Sequence, residues 1–313
     1  MKRIMENMFT PLVAALLAWR TAHPEAPFPL PGSGLVCLRS RQSLHEVVLP
    51  RLSAVLVLHG EKWVFAGGAC LAFPAGSVFV LPPGVPCTVE NIPHPGTGQY
   101  TALCLGFEAT HVARACLGAQ NMPAQEQPRQ GQGSRVAIAV PVGATLAGAF
   151  THLVQSSLLL PSGHPAHSLC LEAILTLLVA QEPGVCQLPV GNSIMQRCLL
   201  LASMAPGRKW TAQDMAGHLA VSERSLRRHL QDEGTSLRAV LLSARLNTAL
   251  GMLQGGLGNV GEVAGRCGYD SPSRFAAQFR VRFGMSPAEV LRCNASALSQ
   301  EPSKGGGHSR LGA

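Results

Sequence analysis

The feature that most restricts the fold is a repeat in the last third of the chain. Two segments share one order of small, apolar and capping residues. The first runs Asp214-Met215-Ala216, then Leu219, Ser222, Leu226 and Leu230; the second runs Glu262-Val263-Ala264, then Cys267, Ser271, Phe275 and Phe279. The alanines stand 48 residues apart and the later apolar positions 49, so the extra residue falls in the turn between. Each copy predicts two short helices that cross closely at the alanine. Gly268 offers the positive φ that a tight turn often needs. Ser222 and Ser271 are placed to cap the helix that follows, and Pro272 suits its first position, where a missing N–H costs nothing. Leu226/Leu230 and Phe275/Phe279, at i and i+4, share a face. Each second helix therefore buries one side and leaves the other free, as a recognition helix in a helix-turn-helix must. The copies close at Gly234 and Gly284, and residues 236–254 read as one helix joining them. Two exposed helices held on one face in this way would meet successive major-groove turns, about 34 Å apart.

Charge follows the same division. Residues 190–295 carry 13 basic and 7 acidic side chains, against 10 and 9 in the 189 residues before them. A basic module joined to a nearly neutral one is the footprint of a polyanion-binding part and a separate regulatory part. Twelve of the 13 bases are arginine, whose planar fork suits phosphates and guanine edges.

The stretches MAGHLAVSERSLRRHLQDEGTSLRAVLLSARLNTALGML and VGEVAGRCGYDSPSRFAAQFRVRFGMSPAEVLR resemble the DNA-binding domain of AraC/XylS-type transcription regulators. The resemblance covers about 100 residues. It implies a sequence-specific regulator that binds double-stranded DNA and, in an activator, also meets RNA polymerase. The outward positions it implies are Ser222, Arg224, Ser225, Arg227, Arg228 and Gln231 in the first unit and Ser271, Ser273, Arg274 and Ala277 in the second, with Arg280 and Arg282 meeting phosphates. Ala277 departs from the family, which often has a polar or basic residue there; a methyl group can touch only a thymine methyl. Gly251 inside the joining helix is a second departure and costs that helix up to about 1 kcal/mol against alanine.

Before residue 118 the pattern is different. Short β-like runs (35–39, 53–58, 63–66, 69–73, 77–81, 87–90 and 100–107) alternate with Gly60, Gly67-Gly68, Pro74-Ala75-Gly76 and Pro82-Pro83-Gly84, which predicts a small antiparallel barrel or sandwich. The stretch from Val57 to Val64, followed by Gly76 to Pro86, resembles the cupin-like sensor domain of the same regulators. That implies a small-molecule effector in the barrel and a homodimer through the adjacent helices. Candidate pocket residues are His45, His59, Trp63 and Cys87. His45 and His59 are read as hydrogen-bonded neutral rings near the barrel mouth, Trp63 and Phe65 as core, and Cys87 as pocket rim. The histidines are isolated and lack a His-x-His pair, and Cys87 stands where a metal-binding cupin would place histidine, so no metal or cofactor is expected. A cupin enzyme with an appended DNA-binding module, or an effector-less DNA-binding protein, are the alternatives.

The whole is expected to be an α+β multidomain chain: a cupin-like barrel over 1–118, a flexible loop over 119–134, a helical and dimer-forming segment over 135–182, a linker over 183–192, a double helix-turn-helix domain over 193–295 and a disordered tail over 296–313. Within the helical segment, patterns at 143–160 and 165–181 predict two helices; the second is apolar nearly all round and must be buried. The ten scattered cysteines form no C-x-x-C pair and read mostly as small apolar residues in a reducing compartment. The apolar run from Leu12 to Trp19 is too short for a signal or a membrane span, so a short helix on the first domain and a cytoplasmic protein are expected.

Overall fold

A helix, α1 (Thr10–Ala22), precedes eight strands: β1 (Gly34–Leu38), β2 (Gln42–Val47), β3 (Ser53–His59), β4 (Glu61–Ala66), β5 (Ala69–Pro74), β6 (Val78–Leu81), β7 (Cys87–Ile92) and β8 (Tyr100–Gly106). Then come α2 (Ala109–Gln120), β9 (Ile138–Val140), α3 (Ala144–Leu159), α4 (Pro165–Gln181) and a 3-10 turn at Pro183–Gln187. The C-terminal helices are α5 (Ile194–Met204), α6 (Ala212–His218), α7 (Glu223–Asp232), α8 (Leu237–Gln254), α9 (Val260–Arg266), α10 (Pro272–Phe283) and α11 (Pro287–Ala295). This computed structural model describes residues 9–24, 26–120, 137–190 and 193–295. The tail expected over 296–313 lies outside them, as does the loop expected over 119–134 apart from its first two residues, which end α2.

The strands form two antiparallel sheets, ordered β1-β8-β3-β6-β9 and β2-β7-β4-β5. β3 reads SAVLVLH and is buried at six of its seven positions. A strand tolerates a continuous apolar run only when both its faces are covered. On one side Val55 and Val57, with Phe79 of the neighbouring β6, face the other sheet, where Phe73 of β5 stacks on Phe79 with ring centroids 3.9 Å apart. On the other, Ala54, Leu56 and Leu58 join Leu12 and Leu16 of α1, Phe150 of α3 and Leu175 of α4. β4 shows the contrasting pattern: Val64 is buried whereas its neighbours Trp63 and Phe65 are only half-buried, on the outer face of the four-stranded sheet. The expectation that Trp63 and Phe65 fill the core is thus corrected by the strand's two-residue period.

α4 is buried by its own chain, with Leu171, Ile174, Leu175 and Leu178 enclosed between α2 and α3, while Leu169 is 66% exposed. The cysteines depart from expectation in one respect: Cys116 in α2 and Cys186 in the 3-10 turn are joined as a disulfide. Cys87, Cys198, Cys267 and Cys293 are buried thiols, and Cys70 is exposed. Three elements ahead of α3 have no counterpart in the sequence expectations. β2 (QSLHEV) is too polar to announce itself, β9 is three residues long, and α2 lacks acidic or basic end signals.

β1 and β2 are the edge strands on one side of the two sheets, and the C-terminal helices cover both. Arg39 N donates to Cys293 O (3.0 Å) beside β1, and Val48 N donates to Asn247 Oδ1 (2.8 Å) beyond β2. Covered edges cannot pair with another sheet. No helix of the described residues is long and apolar enough to cross a membrane.

Candidate functional site

Each copy of the repeat folds as two helices with a tight turn. In the first, Thr211 and Asp214 form a reciprocal capping box at the start of α6, with Asp214 N donating to Thr211 Oγ1 (3.0 Å) and Thr211 N to Asp214 Oδ2 (3.1 Å). These hydrogen bonds from Thr211 hold the Asp214 carboxyl below its ordinary range. Asn259 and Glu262 repeat the box at α9. Ser222 and Ser271 accept from Ser225 N (3.1 Å) and Arg274 N (3.3 Å), so both cap as their positions suggest. Gly268 has φ 79°, and a Cβ there would meet the Gly207 backbone at 3.1 Å. The first copy has Ala220 at the matching turn, held at φ 55°.

Leu226 and Leu230 bury one face of α7, and Phe275, Phe279 and Phe283 bury one face of α10. The three rings meet edge to face with centroids 5.5 and 4.6 Å apart. What remains outside is Ser222, Arg224, Arg227, Arg228 and Gln231 on the first unit, with Ser225 half-buried, and Ser271, Ser273, Arg274, Ala277 and Arg280 on the second. Arg227 pairs with Glu223 at 2.9 Å; among the described residues Arg224 and Arg228 pair with no carboxylate. Glu233, just past α7, accepts from the Ile194 and Met195 amides at the start of α5, which ties the first unit to the helix leading into it.

Arg282 stands apart from the other outward arginines. It donates to Glu46 O (3.2 Å) and Ser243 Oγ (3.1 Å), lies 3.6 Å from the Glu46 carboxylate, and its side chain is only 19% exposed. The expectation of a phosphate contact is corrected here: α10 packs its C-terminal end on β2, so Arg282 faces the β-domain. His45 meets the same contact, because its ring lies where a Cβ on Gly284 would be. It belongs to the domain junction, exposed, with its Nδ1 3.4 Å from Thr88 Oγ1. Cys87 is buried, and its Sγ lies 3.5 Å from Val47 O. His59 ends β3, half-buried. The four candidate pocket residues are therefore not brought together.

Register assembles another group instead. Gln42, Asn91 and Lys62 stand opposite one another on β2, β7 and β4, on the strand face that also carries Leu44, Val89 and Val64. Lys62 Nζ donates to Asn91 Oδ1 (2.7 Å), and Asn91 Nδ2 to Gln42 Oε1 (3.1 Å). From the other sheet, the Tyr100 ring lies 6.0 Å from the ammonium. Lys62 is half-buried as a residue, yet desolvation of its ammonium pushes its pKa down to about 8. Burial likewise raises the Tyr100 phenol and the Cys87 and Cys104 thiols, which keeps them neutral. The Tyr100 hydroxyl and Gln42 Nε2 are buried without a hydrogen-bond partner. The Gln42 oxygen also accepts from Gln254 Nε2 (2.7 Å) at the end of α8, so the row runs out of the β-domain into the helix joining the two units. Sequence reading missed this group because each member is ordinary alone; the available signal was Lys62 standing in phase with Val64. Among the described residues no group of three His, Cys, Asp or Glu is placed to hold a metal ion.

Comparisons with known proteins follow the same division. Residues 12–179 match the family profile described as an AraC-like ligand binding domain, and residues 215–292 one described as a helix-turn-helix domain. The transcriptional regulator SirC of Salmonella typhimurium is 42% identical over 85 residues, 27% of this chain and 29% of SirC. The HTH-type transcriptional regulator YdeO of Escherichia coli is 31% identical over 130 residues, 41% of this chain and 51% of YdeO. The match thus spans about a third to a half of these relatives' own length. An apo form of ToxT from Vibrio cholerae superposes with a TM-score of 0.59 at 12% identity, covering 84% of this chain and 97% of ToxT. ToxT bound to an unsaturated fatty acid gives 0.55 at 13% identity, covering 86% and 97%. At such identities the likeness is one of fold.

Proposed function

Because this chain belongs to the family of AraC-like regulators, we propose that it is a transcription regulator that binds double-stranded DNA through both helix-turn-helix units and answers to a small effector held by its β-domain. The observation that carries this reading is the paired presentation of α7 and α10, each locked by a buried apolar face and each exposing arginine on the other. In this account Arg224 and Arg228, which no carboxylate neutralises among the described residues, read base edges. Arg227 and Gln231 flank them. Ser273, Arg274 and Ala277 enter the second groove, and Arg280 meets phosphate. Ser222, Ser225 and Ser271 lie at the helix starts beside the backbone. Ala277 brings only a methyl group, so the second unit positions more than it reads.

The effector is a carboxylic acid whose head group takes the unfilled hydrogen-bonding capacity of Lys62 and Tyr100. Support comes from the buried ammonium with one amide partner, the unpartnered phenol, and the fatty acid bound by ToxT. Drawing Lys62 away from Asn91 would loosen the row through Gln42 to Gln254, which couples occupancy to α8 as a population shift. A second copy of the chain would add to the α4 face that carries Leu169, and an activator of this type would meet RNA polymerase once on DNA in the cytoplasm.

Selection of full-length protein against a random DNA pool tests the reading. Enrichment of two boxes about one helical turn apart supports it. Failure to enrich any sequence, with and without a panel of aliphatic and aromatic carboxylic acids, would remove the DNA-reading role. If thermal shifts by those acids persist in Lys62→Met, the effector belongs elsewhere.

A further inference from the structure

We propose that the cleft between the two helix-turn-helix units is a binding site for one sugar-phosphate strand of DNA, the strand that crosses between the two boxes. The proposal rests on the reading that both units bind DNA. The cleft measures about 550 Å³ and has walls from three places: Lys209 and Trp210 ahead of α6, the Leu237–Arg245 part of α8, and Gly268 to Arg274 of the second unit. Lys209, Arg238 and Arg274 are exposed within it. Arg245 braces one wall by donating to Pro206 O (3.0 Å) and Arg208 O (3.3 Å). Asp270 is the single carboxylate in the lining.

Charge placement separates this cleft from the rest of the domain. A helix start carries partial positive charge and favours an acid nearby. α6, α7, α9 and α11 each have one in the first turn: Asp214, Glu223, Glu262 and Glu289. α5 has none of its own but receives the Glu233 carboxylate. Of the seven C-terminal helices, α8 and α10 alone have neither an acid in the first turn nor a carboxylate received from elsewhere, and each places an arginine there, Arg238 and Arg274. These are the two helix starts that open into the cleft. Like charge is thus left unbalanced at these two starts, whereas Arg224 in the first turn of α7 stands beside Glu223, and an anion in the cleft relieves it.

The occupant is argued from what surrounds the cleft. Arg274 belongs both to its wall and to the outward face of α10, so the cleft continues the surface proposed to meet the major groove. Trp210, Leu241 and Leu242 supply apolar wall of the kind a deoxyribose covers. A protein spanning two successive major grooves must accommodate the backbone between them.

The test is the salt dependence of DNA affinity for the full chain on its selected duplex, between about 50 and 200 mM salt. Each of Lys209→Ala and Arg238→Ala should lower the slope of log affinity against log salt by about 0.9. Each should weaken selected and scrambled duplexes alike and leave the selected sequence unchanged, and Asp270→Asn should tighten binding. Arg114→Ala, on α2 and paired with Glu172, should leave the slope alone. Unaltered slopes in both cleft variants, with wild-type binding intact, overturn the cleft assignment while sparing the DNA-binding reading; no binding by the wild type overturns both. Inorganic phosphate that competes more strongly than chloride at matched ionic strength would point to a discrete anion site and overturn the strand assignment.

Discussion

Arg282 of α10 reaches across the domain junction to Glu46 of β2, accepted by its carbonyl at 3.2 Å and 3.6 Å from its carboxylate. Glu46 sits in a bulge with φ 46°, so the carbonyl that receives Arg282 is offered by a strained residue. The carboxylate is 64% exposed, and an ion pair so open to water contributes about 0–1 kcal/mol. Arg282 also bonds Ser243, and deletion of its side chain abandons both that bond and the carbonyl. We expect Arg282→Ala to cost about 1–2 kcal/mol and Glu46→Gln to cost less than about 1 kcal/mol. Urea unfolding of the two variants measures the difference; equal losses would mean that the carboxylate, rather than the carbonyl and hydroxyl, holds the junction.

Two backbone positions predict stabilisation by opposite exchanges. Ala220 is exposed and held at φ 55°, where the matching residue of the second unit is Gly268. Ala220→Gly removes a left-handed conformation that costs an L-residue about 1–2 kcal/mol, offset in part by the added freedom of the unfolded chain. Gly251 is exposed inside α8, and a Cβ there meets nothing within 4 Å. Gly251→Ala should gain about 0.5–1 kcal/mol. Both should raise the melting temperature, and a loss from either would show that the local geometry differs from that described.

Lys62 gives a pH dependence with a definite sign. Its pKa is lowered from 10.5 to about 8 because burial disfavours the ammonium. Between these values the unfolded chain binds more protons than the folded one, so this residue makes stability rise with pH. The cost of the buried charge is fully present below about pH 8 and is relieved as pH approaches 10.5. Lys62→Met should therefore stabilise the protein more at pH 7 than at pH 10, as read by thermal melting. The same gain at both values would place the ammonium in water.

Leu169 is 66% exposed on α4, and Ala173, one turn further on, is exposed on the same side. If a second copy covers this face, Leu169→Glu should shift sedimentation from dimer to monomer, with a melting temperature that no longer depends on protein concentration. A wild-type protein that sediments as a monomer at all concentrations would sink the dimer.

The C-terminal helices were legible because their signals are local. Ser222, Ser271, Pro272 and Gly268 act within one turn of their own position, and Phe275/Phe279 state the buried face directly. β3 was equally plain, being apolar throughout. What sequence could not supply was register. Gln42, Asn91 and Lys62 are 20 to 49 residues from one another and meet only because β2, β7 and β4 pair as they do. His45 and Trp63 suggested a pocket by residue type, yet the β2 bulge and the two-residue period of β4 turn them to the junction and the outer face. The domain junction was hidden for the same reason: nothing near Arg282 announces Glu46.

Hydroxyl-radical footprinting of the full-length protein on its selected DNA site tests the central claim most directly. Two protected windows about 10 base pairs apart on one face of the duplex are predicted, with Arg224→Ala weakening one window while the other stays in place. A single window, or two that Arg224→Ala leaves unchanged, would contradict an account in which α7 and α10 each enter a major groove.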